Sequence, residues 1–299
     1  ESGRVCAMES FRRQLEEMLW HMIRAELPEK ELGEAAKILQ DARLTCAEYM
    51  GSYVPRFKEH EDAAYILTGR SGVWITGQAG IGKSAYMSSI AMAAAKTGAH
   101  VFLYFCGNEN CGSKTALLGA LLQWLLKEFP EYAPDISEAD GLSDEKKIWH
   151  IRRLLEQKRV CDRAILIDGA DQMEEDISEL LLSVLSSIRR EKEKGHTFAV
   201  AVSSAPEYFE ERKAALRGAF SQGTMKPFSS AEVNAFVQMH AARRGKRVDA
   251  KVVHQIRKKA GSSNPYYLSL VMQKLFMMSR EEFAQAERLA PGMEGLSCY

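Results

Sequence analysis

The sequence predicts an α/β architecture of three layers, a mostly parallel sheet between two layers of helices, followed by a small all-α unit. Three observations carry this reading. Short apolar runs alternate with helical patterns between residues 72 and 204. Those runs are continuous rather than alternating, as expected of parallel strands covered by helices on both faces. After about residue 228 the strand-like runs stop and three helical patterns follow one another.

The elements can be taken in chain order. Phe11, Leu15, Met18, Leu19, Met22 and Ile23 recur at spacings of three and four, which places them on one helix face. Pro28 interrupts, and ELGEAAKILQDARLTCAEYM resumes the pattern up to residue 49. GSYVPRF (51–57) reads as a linker from its Gly and Pro content, and KEHEDAAYILTG as a short helix. VWIT is then a strand, GKSAYMSSIAMAAAK a helix, HVFLYF (100–105) a strand and KTALLGALLQWLLKEF a helix. A polar loop, PEYAPDISEADGLSDEKK, leads to the helix IWHIRRLLEQK. AILID (164–168), the helix ISELLLSVLSSIRREKEK and TFAVAVSS (197–204) complete a βαβ series. SSAEVNAFVQMHAARRG, DAKVVHQIRKKAG and NPYYLSLVMQKLFMMS form the terminal helices, the first opened by Ser229 and Glu232 at capping-box spacing. The expected organisation is a helical segment over 1–50, an α/β unit over 51–227 and a helical unit over 228–299.

Composition narrows the function classes. A chain of 299 residues with 46% hydrophobic and 27% charged residues can bury a sizeable core. Forty basic residues balance forty acidic ones, so no global field favours nucleic acid or an acidic membrane. The six cysteines form no CxxC pair and no zinc-type cluster with histidine, as expected of reduced thiols in a cytoplasmic protein. ALLGALLQWLL (116–126) is the longest greasy stretch, well short of the roughly 18 residues that cross a bilayer. The first residue is Glu, which suggests a piece of a longer chain.

One stretch carries the chemistry. GQAGIGKS (77–84) follows the strand GVWIT and opens a helix, and it matches G-x-x-x-x-G-K-S, the phosphate-binding P-loop. Glycines let successive N–H groups converge without a Cβ in the way, and the helix N-terminus favours an anion. Gly77, Gln78, Ala79, Gly80, Ile81, Gly82, Lys83, Ser84 and Ala85 are therefore the expected phosphate cradle. Lys83 would reach the β- and γ-phosphates of ATP, and Ser84 would hold Mg²⁺. AILIDGADQ ends a strand in carboxylates; Asp168 would hold Mg²⁺ through water, and Asp171 would orient or deprotonate an attacking water. The motif specifies the fold class further, as a P-loop NTPase three-layer αβα sandwich with an appended helical domain.

GQAGIGKS, DGAD and GSSNPYYL together resemble the STAND class of P-loop ATPases, and more closely the NACHT type, nucleotide-dependent signalling switches. VFLYFCGNENCGSKTALLGALLQWL resembles NACHT proteins of the telomerase-associated and nephrocystin type. The resemblance spans residues 43–299. It implies ATP or ADP bound between the sheet and the helical domain, with Pro265 near the adenine and Val54, Pro55 and Arg56 lining the base. It also implies self-association on activation, and a winged-helix domain, an effector and a sensor outside the chain. Two positions depart from the family pattern: Gln172 replaces an acidic residue, and Ala205 stands where a Thr-Ser-Arg-type sensor places arginine. Both changes imply slow hydrolysis or poor discrimination of ATP from ADP, without threatening binding.

Two other classes compete. An AAA+-type motor or remodeller acting on DNA would need arginine fingers, for which Arg189 and Arg190 are the candidates, although solvated helix-end charges account for them. A P-loop phosphotransferase would need an arginine-rich lid, which the terminal helices lack. The basic cluster RRGKR (243–247) has no interleaved aromatics and reads as a solvated face rather than a nucleic-acid site.

Overall fold

The computed structural model describes residues 33–56, 66–67, 72–133, 141–157, 161–190, 197–216, 218–259 and 261–277. The helices expected over 10–27 and most of KEHEDAAYILTG lie outside these residues, as do the side chains of Arg189 and Arg190.

Five strands form one sheet: β1 (Gly72–Thr76), β2 (His100–Phe105), β3 (Arg163–Asp168), β4 (Phe198–Ser204) and β5 (Phe220–Thr224). Their order is β2-β3-β4-β1-β5 and every pairing is parallel. Four of the strands match the expected apolar runs. The fifth, FSQGT, escapes such a reading because it is an edge strand, buried at Phe220 and open or half-open along the rest. A strand with one flank and much of a face in water needs no apolar run.

Period-two alternation divides the strand side chains between two layers. Val73 and Ile75 pack with Met87, Ile90 and Ala91 of α2 (Lys83–Lys96). Trp74, Phe102, Tyr104, Ile165 and Val200 face the opposite core. That core is covered by α3 (Lys114–Glu128), α4 (Asp144–Leu155) and α5 (Ser178–Arg190). Helix α1 (Glu34–Ser52) runs beside β2 and touches α2 and α3 as well. It thereby covers a sheet edge that would otherwise expose unpaired main-chain groups. Gly51 and Ser52 finish this helix, so the extended connector is shorter than GSYVPRF and begins at Tyr53.

A further short helix, α6 (Pro206–Arg212), was not evident from periodicity. Proline at its first position starts it, and its Phe209 packs on Trp74 at 5.4 Å between ring centroids. Helices α7 (Ser230–Ala242), α8 (Ala250–Arg257) and α9 (Pro265–Met277) build a second core around Val233, Phe236, Val237, Ile256, Leu268 and Met272. The predicted capping box is present: Ser229 Oγ accepts from the Glu232 N–H while the Glu232 carboxylate accepts from the Ser229 N–H.

At the opposite end of the sheet from the motif loop, Arg163 is fully buried against Glu128. The Arg163 Nε–H lies 2.9 Å from both carboxylate oxygens, and Nη2 donates to Oε1 as well. Burial alone would raise the Glu128 carboxyl, but hydrogen bonds and charge from His100 and Arg163 outweigh it and hold it below the ordinary range. A depressed folded value stabilises the protein above the unfolded carboxyl pKa and ceases to do so as pH falls through the folded one. Urea denaturation should therefore show stability falling as pH drops below about 4, and Glu128→Gln should flatten that limb. Glu128→Ala should cost about 3–5 kcal/mol at neutral pH, because it leaves a buried guanidinium unpaired.

Candidate functional site

The sheet order brings the carboxyl ends of β1, β3 and β4 side by side. Thr76 pairs with Ser204 and Ile167 with Val202, so Asp168 and the loop after β1 lie across the end of β4 from each other. A ligand crevice outside the carboxyl ends of parallel strands is the general expectation for such sheets. Here it is a cleft of about 420 Å³ between the loop after β1 and the helical unit.

The loop turns on two left-handed glycines, Gly80 at φ 73° and Gly82 at φ 92°. Gly82 caps α2 without a side-chain bond, which leaves that helix end open toward the cleft. A Cβ at Gly77 would come within 2.8 Å of the Ile81 side chain, so a larger residue at the first motif position would force Ile81 to shift. The loop carbonyls are all claimed. Lys83 Nζ donates to the carbonyls of Gly77 (2.6 Å) and Gln78 (3.3 Å). Asn264 Nδ2 donates to Ala79 O (3.1 Å), and the Tyr266 N–H to Gly80 O (3.1 Å). Arg56 Nη2 donates to Ile81 O (2.9 Å), and the Tyr86 N–H to Gly82 O (3.0 Å). Carbonyls tied in this way hold the peptide planes so that their N–H ends can face an anion.

Asp168 is buried at 6% exposure. Burial pushes its carboxyl up, Asp171 adds to this, and the Ser203 and Ser84 hydroxyls and Lys83 oppose it. Ser203 Oγ donates to Asp168 Oδ1 (2.5 Å) and accepts from the Gly169 N–H (3.0 Å). Ser204 Oγ accepts from Trp74 Nε1 and donates to Ala205 O, both at 2.8 Å. Both hydroxyls are thus committed within the protein, and it is Ala205 that meets the cleft. Asp171 and Gln172 sit on a short 3₁₀ turn (Ala170–Gln172) at the cleft mouth, exposed. The left-handed Gly169 (φ 74°) turns the chain there.

The other end of the cleft is apolar. Val54 and Phe228 are buried in the helical unit's core, and Phe236 stacks on His240 at 4.2 Å and 27°. Burial lowers the His240 imidazole below its usual range, and Arg243 and Arg244 reinforce this against a bond with the Ser52 carbonyl. At neutral pH it is an uncharged ring. Arg56 lies over Phe228 at 4.8 Å and bonds to Lys226 O at 2.7 Å.

Of the expected site residues, Ala79 through Ala85, Asp168, Asp171, Val54, Arg56 and Pro265 line the cleft. Gly77 and Gln78 do not line it; their carbonyls accept from Lys83 Nζ. Pro55 is exposed and does not line it: in an extended segment its neighbours Val54 and Arg56 turn inward, so it points outward. Tyr49, Phe228, Phe236, His240 and Tyr266 also line it, and no local pattern announces them, because they come from segments distant in sequence. Asn264 was within reach as an Asn-Pro pair opening a helix.

The donor set fits Mg-nucleotide. Among the described residues no cluster of three or more His, Cys, Asp or Glu side chains is placed to hold a metal. Magnesium, however, takes one or two protein oxygens together with water and phosphate, which Ser84 beside Asp168 would supply. None of the helices searched, all among the described residues, is long and apolar enough to cross a membrane.

Residues 56–204 match the family model described as nephrocystin 3, N-terminal. No curated protein matches the sequence. A Walker-type ATPase of Pyrococcus abyssi superposes with a TM-score of 0.55 at 13% identity, over 78% of this chain and 70% of that one. Cdc6p from Pyrobaculum aerophilum gives 0.51 at 14%, covering 77% and 64%. Domain III of the Thermotoga maritima replication initiation protein DnaA gives 0.50 at 12%, covering 80% and 95%. The fold is that of a P-loop NTPase, with a parallel five-stranded sheet between helices.

The bonds at Ser203 yield a measurable consequence. Ser203→Ala strips a partner from two buried groups, Asp168 and the Gly169 N–H, and should cost about 1–3 kcal/mol in chemical denaturation. An unchanged unfolding midpoint would mean that water replaces the hydroxyl.

Proposed function

We propose that the chain binds adenine nucleotide and works as a switch of the STAND/NACHT type. ADP between sheet and helical unit holds a closed form; ATP favours an open form that self-associates, with the missing effector and sensor parts outside this chain. The carrying observation is the two-ended cleft, a glycine loop with Lys83 and a helix N-terminus at one end and an aromatic, uncharged wall at the other. A nucleotide has the same division between polyphosphate and base. The match to the nephrocystin 3 N-terminal family over 56–204 supports the reading.

In this reading Lys83 leaves the carbonyls of Gly77 and Gln78 to meet the β- and γ-phosphates, while the loop N–H groups from Ala79 to Ala85 bind the chain of phosphates. Ser84 and Asp168 would hold Mg²⁺, which would supply neutralisation of phosphate charge. Asp171 orients the attacking water and accepts its proton. Turnover is slow because Ala205 brings no guanidinium to the γ-phosphate, Ser203 and Ser204 are engaged elsewhere, and Gln172 is an amide. Shifting a switch from 1:99 to 99:1 takes about 5.5 kcal/mol of differential binding, so a γ-phosphate met by few charged groups leaves a share to a partner.

A second reading, an AAA+-like motor or remodeller acting on DNA, draws on the replication proteins among the fold neighbours. The basic cluster does not favour it: Arg243 donates to Gly51 O and Tyr53 O, and Arg244 and Lys246 lie over Phe276. Denaturing the purified chain and identifying the released nucleotide, alongside turnover with Mg-ATP, separates the two. Retained ADP with negligible turnover is expected; sustained turnover stimulated by DNA would sink the switch. Lys83→Ala should weaken ADP binding roughly 10- to 100-fold, from the loss of a charged hydrogen bond. Asp171→Asn should lower the residual hydrolysis about 100-fold at little cost in affinity.

A further inference from the structure

We propose that Asn264 is the latch that fastens the helical unit to the P-loop, so that the protein itself holds the lid of the cleft shut before any nucleotide enters. The inference deepens the nucleotide-switch reading and rests on it for its kinetic consequence alone.

Two of the six loop carbonyls from Gly77 to Gly82 are held by the helical unit, and both bonds meet at one residue. The Asn264 carbonyl oxygen accepts from the N–H groups of Tyr266 (2.9 Å) and Tyr267 (3.2 Å), and so caps the first turn of α9. The amide nitrogen of the same side chain donates to Ala79 O. The Tyr266 N–H, placed by that cap, is shared with Gly80 O. One planar amide thus closes a helix with its acceptor and grips the loop with its donor. The approach is close: a Cβ at Gly80 would lie 2.9 Å from Asn264 Oδ1 and 3.0 Å from the Tyr266 Cβ. Glycine at this position therefore serves the lid as well as the turn. The Asn264 turn is itself anchored, since the Phe228 N–H donates to Ser263 O (2.8 Å) and the Asn264 N–H to Gly261 O (2.8 Å). These ties run through the carbonyls, the opposite ends of the peptide groups whose N–H ends would face phosphate. Nucleotide need not break them to enter, and the lid cannot swing away without tugging on Ala79 and Gly80. Lid position and loop shape are then one coupled variable, which is what a phosphate-reading switch requires.

Two substitutions separate the latch from the cap. Asn264→Asp and Asn264→Ser both keep a good N-cap oxygen. The carboxylate replaces the donor with an acceptor facing Ala79 O, and the serine is too short to reach it. Spin labels carried by non-natural amino acids at the exposed positions 96 and 258 report the distance between the α/β and helical units without nucleotide. The parent should give one narrow distance distribution and both variants a broader, longer one, with melting temperatures unchanged. Release of a fluorescent ADP analogue should be about tenfold faster from Asn264→Ser and faster still from Asn264→Asp. A broad distribution in the nucleotide-free parent, or variants that match the parent in distance and release rate, would overturn the latch. A parent that binds no ADP analogue would defeat the nucleotide reading instead, and the distance measurement would still decide the latch.

Discussion

Everything at this site depends on how a tight turn of main chain disposes of its carbonyls. A loop that offers its N–H groups to an anion must turn its oxygens elsewhere, and each oxygen without a partner would cost a hydrogen bond. The chain supplies those partners from four places: Lys83 within the loop, Tyr86 in the helix that follows, Arg56 before the first strand, and Asn264 with Tyr266 in the helical unit. The cradle is therefore a product of the whole molecule. Parts that look peripheral, a connector arginine and a cap far along the chain, set the shape of the loop.

The second constraint is topological. Because β4 lies between β1 and β3, its last residues occupy the space between the loop and Asp168. Whatever side chain stands there governs both the buried carboxylate and the facing surface of the cleft. In this chain Ser203 takes the carboxylate, Ser204 takes the Trp74 indole, and Ala205 leaves the cleft wall smooth and uncharged.

The apolar end follows a different logic. Val54, Phe228 and Phe236 belong to the core of the helical unit and line the cleft, so this wall is the flank of a packed core and inherits its rigidity. His240 stays neutral there because burial and two neighbouring arginines disfavour its charged form. The same arginines are spent on the carbonyls at the end of α1 and on Phe276, which explains a basic run in the sequence without invoking a charged partner.

The sequence by itself determined the elements whose signal is local. Four strands were legible as apolar runs, the longer helices as helical patterns, the capping box at Ser229 as a four-residue motif, and the glycine loop after β1 as a spacing of glycines with a lysine. Each of these depends on residues within a turn or two of one another. Tertiary structure alone decided the rest. The edge strand FSQGT forms because β1 offers it a partner, not because its residues prefer extension. Pro55 faces water while Val54 and Arg56 face the cleft, since the pleat of an extended segment lets only alternate residues point inward. Ser203, Phe236, His240 and Asn264 reach the site through strand order and helix docking, contacts that close loops of tens to nearly two hundred residues and leave no periodicity behind. Short-range preferences are written in the chain; a cleft between two units is a long-range coincidence that only the folded packing can specify.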